Sequence, residues 1–211
     1  MKKNVKYIFA MLFLSLTMAG CYPDGPDYVD EYDIVYTNYD ENFIFAGKPT
    51  YAMPDSVVKI TGAATTGDDI EFVNPVYANI ILDRIKANMA SRGYTLVGNA
   101  IIADFVLMPS AIEVTNISYY YDYWGYYYGW YYPPGYGGYY YPYYPMVTSY
   151  TTGSLFMTLA DNKNQNPTGK NEVVWLGVVN GLLEGSSNTN FQARINKSID
   201  QAFSQSAYLH P

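Results

Sequence analysis

The chain has 211 residues, 26 of them tyrosine, and 19 acidic side chains against 12 basic ones give a net charge of −7. That length holds one domain with a real core. The acidity argues against nucleic acid, whose phosphates are bound through Lys and Arg, and against electrostatic attraction to anionic headgroups. Cys21 is the only cysteine, which excludes an intramolecular disulfide, and the only histidine is the penultimate residue, His210.

The chain opens with Lys2, Lys3 and Lys6, followed by an apolar run over 7–19 that ends in small residues. This is the pattern of a secretory signal peptide. The run is too short for a membrane span, which needs about 20 apolar residues. Met18-Ala19-Gly20-Cys21 resembles the bacterial lipobox, with Met18 where leucine is usual. The resemblance implies cleavage before Cys21, with diacylglycerol on its thiol and an acyl chain such as palmitate on its amine. Each buried methylene contributes about 0.8 kcal/mol, and stable anchoring takes more than one chain. The first 20 residues carry three lysines and no acid, so the remaining 191 are near −10.

Residues 21–32 read as a tether, rich in Pro, Gly, Asp and Glu. Acidic residues behind the cysteine resemble the surface-export signals of Bacteroidetes lipoproteins. Tyr22 is not the aspartate that retains some lipoproteins in an inner membrane. The expectation is the outer membrane, on its periplasmic face or at the cell surface.

The folded domain is expected over 33–211. Residues 34–39 are β-branched and aromatic and predict a strand, and Thr50-Tyr51-Ala52-Met53 predicts a short second one before Pro54. Asn74-Pro75 is a helix start, with Asn as N-cap and Pro at the first helical position. Tyr77, Ile81, Ile85 and Met89 recur every four residues, joined by Ile80, and predict an amphipathic helix that Gly93 ends. Asp83, Arg84, Lys86 and Asn88 fall largely on its other side. An extended segment begins at 103–108 and continues through Ile112 and Val114 to Asn116. Strands over 154–160 and 172–179 are joined as a hairpin by the polar stretch 161–171. Thr189 with Gln192 forms a capping-box pattern ahead of a helix with the stripe Phe191, Ile195, Ile199 and Phe203.

Between two strands lies a Tyr/Gly/Pro-rich insertion, 118–150, where Asp122 is the only charged residue. Its Pro-Pro-Gly and Gly-Gly steps forbid a regular helix and break up any strand. Three readings stay open. It is a variable loop without specific contacts, an adhesive surface exploiting the low entropy cost of tyrosine contacts, or a glycan platform on which sugars stack. Contact with a bilayer headgroup region is a variant of the second. Tyr123, Trp124, Tyr128, Trp130 and Tyr132 are the candidate contacts.

Catalytic patterns fail. His210 sits where chains usually fray, zinc lacks ligands, and no phosphate loop is present. Asp161 and Glu172 have the outer spacing of an EF-hand loop, but Lys163 and Gln165 occupy ligand positions and Asn166 replaces the turn glycine. Asp68, Asp69 and Glu71 form an acidic loop cluster, read as solvated. No cofactor or metal is expected.

The order of elements resembles a family of bacterial lipoproteins whose shared domain is catalogued as a domain of unknown function, number 4136. The resemblance rests on Lys48-Pro49-Thr50-Tyr51-Ala52-Met53-Pro54, the helix over 74–92 ending in Gly93-Tyr94, the step Ala103-Asp104-Phe105-Val106, the hairpin with Trp175, and the final helix. It covers roughly 33–206 and carries no site residues. It implies an envelope lipoprotein with an α+β domain.

The expected fold is therefore α+β: a twisted, mainly antiparallel sheet of half-apolar strands with two helices on one face, with room for a parallel pair across the first helix. The expected function is non-enzymatic binding or scaffolding in the cell envelope, with the membrane as partner through Cys21 and a glycan or protein as the second partner. The alternatives are a glycan-binding surface lipoprotein and a carboxylate-dependent hydrolase drawing on Asp68, Asp69, Glu71 and Asp104.

Overall fold

Asn74 and Pro75 start the first helix as the sequence predicts: the Asn74 side chain accepts a hydrogen bond from the Val76 N–H, and Pro75 fills the first turn. This is helix α1, Pro75–Ser91, in a computed structural model that describes residues 35–61, 71–113, 153–165, 171–183 and 191–211. The described residues all fall in one compact unit, Asp33–Pro211. Gly93 follows α1 at φ +94, the left-handed conformation that glycine alone adopts freely. The Tyr94 and Gly93 N–H groups then reach back to the Met89 and Ala90 carbonyls and close the helix.

Among the described residues, eight strands form one sheet. They are β1 Val35–Tyr39, β2 Thr50–Ala52, β3 Val58–Ile60, β4 Glu71–Phe72, β5 Thr95–Leu96, β6 Phe105–Ile112, β7 Ser154–Gln165 and β8 Asn171–Val179. The second helix, α2, is Phe191–Gln205. The sheet runs β1-β8-β7-β6-β2-β5, with antiparallel pairing from β1 through β6. The parallel pairs flank the first helix: β3 lies parallel to β6 across β4, α1 and β5. β2 and β3 share one edge of β6, β2 at its start and β3 at its end. Between them stands Pro54, which has no N–H to give a ladder.

β3, β4 and β5 are too short for any pattern in the sequence to announce. The hairpin is longer than predicted, because Asp161 and Asn162 continue β7 although polar. Both are buried with partners: Asp161 receives Lys48 at 3.5 Å, and the Asn162 amide donates to the Ala100 and Ala103 carbonyls. The predicted Thr189 cap and the continuation of β6 through Val114 lie outside the described residues.

Both helical stripes turn into one core. Ile81, Ile85 and Met89 of α1 and Phe191, Ile195, Ile199 and Phe203 of α2 join Phe105, Leu107, Leu155, Met157, Leu159 and Trp175 from one face of the sheet. The Trp175 ring lies 5.4 Å from that of Phe203, and its indole N–H donates to the Ser206 hydroxyl at 2.8 Å. Gly177 makes room for it. A Cβ there would stand 2.9 Å from the indole and 3.0 Å from the Met157 methyl.

The central strands depart from the half-apolar expectation. In β6 every residue is buried, and alternate ones such as Val106, Met108 and Ile112 point away from the helices. In β8 only Glu172 is not fully buried. Strands apolar on both parities are those buried on both faces. No described helix is long and apolar enough to cross a membrane.

Candidate functional site

The anchoring candidate Cys21 and the aromatic candidates Tyr123, Trp124, Tyr128, Trp130 and Tyr132 lie outside the described residues, as do Asp68 and Asp69. The remaining two carboxylates of the hydrolase alternative do not meet. Glu71, on β4, stands 3.6 Å from the Lys59 ammonium, which also holds Glu113 at 3.0 Å. Asp104, ahead of β6, accepts from the Thr50 N–H at 3.0 Å and the Thr50 hydroxyl at 2.6 Å. The eight residues of β6, about 26 Å at 3.3 Å per residue, separate Asp104 from Glu113 and so from Glu71.

Asp161 and Glu172 stand on β7 and β8, which pair antiparallel. The Asp161 carboxylate accepts from Lys48, from the Lys163 N–H at 2.9 Å and from the Asn164 amide at 2.7 Å. Among the described residues no group of three or more His, Cys, Asp or Glu side chains converges as metal ligands would.

A cleft of about 400 Å³ on the two helices is lined by Asn88, Ser91, Arg92, Asp200, Ser204 and His210. Arg84 and Asn88 of α1 converge on Asp200 of α2. Arg84 gives Asp200 a two-pronged guanidinium–carboxylate pair, and the Asn88 amide adds a bond of 2.8 Å. Burial alone would raise the Asp200 pKa. The bonds from Arg84 and Asn88 and the guanidinium charge outweigh it and hold the group below the ordinary carboxylate range.

Arg92 reaches past the end of α2 and donates to the carbonyls of Phe203, Ser206 and Leu209. The Phe203 and Ser206 carbonyls also accept the Ser206 and Leu209 backbone N–H groups, so Arg92 adds a charged donor to the turn that follows α2. Burial lowers the Arg92 pKa, yet a guanidinium stays charged in proteins. The cleft hydroxyls are turned inward as well: Ser91 donates to the Asn88 carbonyl and Ser204 to that of Gln201. Neither is set against a base, as an activated nucleophile is. The cleft is a seam that locks two helices together.

The last residues pack back on the domain. Leu209 is fully buried, Arg92 holds its carbonyl, and Pro211 packs beside Gly93. Sequence reasoning placed Arg84 and Asn88 on the outer side of α1 and missed this seam. Its partners are 111–117 residues apart in the chain, beyond the reach of any spacing signal.

One mostly antiparallel sheet with a helix pair sealed against it defines an α+β domain. The chain matches the model of a domain of unknown function (DUF4136) over residues 35–206, and it belongs to that family. A crystal structure of a DUF4136 family protein from Bacteroides thetaiotaomicron VPI-5482 is similar at 28% identity and a TM-score of 0.64, covering 84% of this chain and 97% of that one. A PelC dodecamer from Paraburkholderia phytofirmans matches at 14% identity over 81% of this chain and 96% of its own, with a TM-score of 0.34. No curated protein matches the chain.

Proposed function

We propose that this chain is a lipid-anchored protein of the bacterial cell envelope, held at the outer membrane by acyl chains on Cys21, and that it binds or scaffolds rather than catalyses. The carrying observation is Met18-Ala19-Gly20-Cys21 directly behind a basic and then apolar leader. A non-catalytic role is supported by the chemistry of the described polar groups. Asp104, Asp161 and Asp200 are each engaged in holding two segments together, and none is paired with a second carboxylate. The partner surface is the aromatic insertion, with Tyr123, Trp124, Tyr128, Trp130 and Tyr132 as contacts for a glycan or a protein.

The test is metabolic labelling with a clickable fatty acid, followed by membrane fractionation of wild type and Cys21→Ser. Label and membrane retention in wild type, both lost in the variant, are the expected result. Equal retention of an unlabelled Cys21→Ser chain would remove the anchor. Proteinase shaving of intact cells separates the two membrane faces. A glycan array run with wild type and a Trp124→Ala, Trp130→Ala double variant separates sugar from protein partners.

A further inference from the structure

β8 ends at Val179, and the chain turns over 180–183. The turn sets Gly181 at φ +66, a conformation open to glycine. Asn180 stands directly ahead of it, and no other asparagine of the chain precedes a glycine. That dipeptide carries a chemistry of its own. A glycine puts no Cβ beside its amide nitrogen, which leaves the nitrogen room to reach the side-chain carbonyl carbon of the preceding asparagine.

The reaction balances with water alone. The Gly181 nitrogen loses its proton to solvent hydroxide and bonds to the Asn180 Cγ. The bond from Cγ to the side-chain nitrogen breaks, and ammonia leaves with a proton taken from water. Water then opens the cyclic imide on either side, giving aspartate or isoaspartate, each with a new carboxylate.

In the fold both reacting groups are held. Ser154 of β7 is fully buried. Its hydroxyl donates to the Asn180 amide oxygen at 3.2 Å and accepts from the Gly181 N–H at 3.3 Å, so one hydroxyl acts as donor and acceptor at once. The Gly181 carbonyl accepts from Arg194 of α2 at 2.8 Å, and the Leu183 N–H donates to the Gly153 carbonyl at 2.8 Å. The Gly181 N–H is thus turned toward Ser154, and swinging its nitrogen onto Cγ means breaking these bonds.

We propose that Asn180–Gly181 is a self-modification site and that Ser154 keeps it closed in the folded chain. Conversion of Asn180 then marks molecules in which this margin of β7 and β8 has opened. The proposal is independent of the lipid anchor and of any ligand.

The experiment incubates the full chain in mild detergent and mildly alkaline buffer, and follows Asn180 by peptide mass and isoaspartate content. Conversion in the folded wild type is expected to be slower than in the urea-unfolded chain by roughly tenfold or more, as for a segment that must first open. Ser154→Ala is expected to remove most of that protection while Trp175 fluorescence still reports a folded domain. Ile199→Val, in the core away from the turn, leaves the rate unchanged. Equal conversion in folded and unfolded wild type overturns the proposal. So does a folded Ser154→Ala chain that converts no faster than wild type, or equal acceleration by the two variants. If Ser154→Ala does not fold, hydrogen exchange at the Gly181 N–H of wild type decides. Slow exchange is expected, and exchange at the rate of an open amide overturns the role of Ser154.

Discussion

Tyr94 is the residue at which the fold carries a cost. Its ring packs edge-on to Phe105, 6.0 Å between centroids, and its hydroxyl is buried without a hydrogen-bond partner. That burial raises its pKa well above the ordinary tyrosine range. An orphaned buried hydroxyl costs about 1–3 kcal/mol. Tyr94→Phe keeps the ring and removes the orphan, so it is expected to stabilise the chain by about 1 kcal/mol, read from the midpoint of urea unfolding at unchanged slope. Gly177 works in the opposite sense, since its missing Cβ is what lets the Trp175 indole lie across β8. Gly93 was legible as a helix stop from its position after the last apolar repeat. Gly177 was not, because the ring that needs its space comes from the same strand and shows no spacing signal.

The helix pair is the element with the sharpest electrostatic prediction. The Asp200 carboxylate is more acidic in the fold than in the open chain, so its contribution is complete above the unfolded value of 3.8 and is lost as pH falls through the folded one. The pair is more than a third exposed, and solvent screening keeps it under about 1 kcal/mol. Asp200→Asn is therefore expected to lower stability slightly at pH 7, with the difference from wild type shrinking as pH falls below 3.8 and through the folded value, as measured by thermal unfolding across pH. Arg92 is the stronger lock. Arg92→Ala removes the guanidinium shared by three carbonyls, two of which keep a backbone donor, and is expected to cost about 1–2 kcal/mol and to open 206–211 to carboxypeptidase. Arg92→Lys restores little, because an ammonium lacks the fork that spans several acceptors. The two helices, β1, β2 and the hairpin were all readable from periodicity and turn chemistry. The seam was not, since Arg92 and Ser206 meet only through the fold. The expectation of half-apolar strands does not extend to β6 and β8, which are buried on both parities.

For the whole molecule, one cluster joins both helices to the first face of the sheet. Ile85→Ala and Ile199→Ala, on different helices, are each expected to cost about 2–5 kcal/mol. Trp175 fluorescence and far-ultraviolet circular dichroism should lose their signals at the same denaturant concentration in each variant, as a single cooperative unit requires. Separate transitions would show that the helices unfold apart from the sheet. The family and the α+β architecture were both within reach of the sequence, because its short motifs fall in order along the strands and helices. The place of each polar group was not, since it depends on pairings made across the fold.

Among the described residues, β1 lies at one margin of the sheet and is laddered to β8 alone. Any mechanical load carried by the chain ahead of residue 35 is delivered to the domain through this strand. It arrives first at Val35, paired with Val179, while Tyr39, stacked on Tyr208 at 3.5 Å, is the far end of the strip. Under tension β1 would peel from Val35 onward, and the Tyr39–Tyr208 stack is the latch it would reach last.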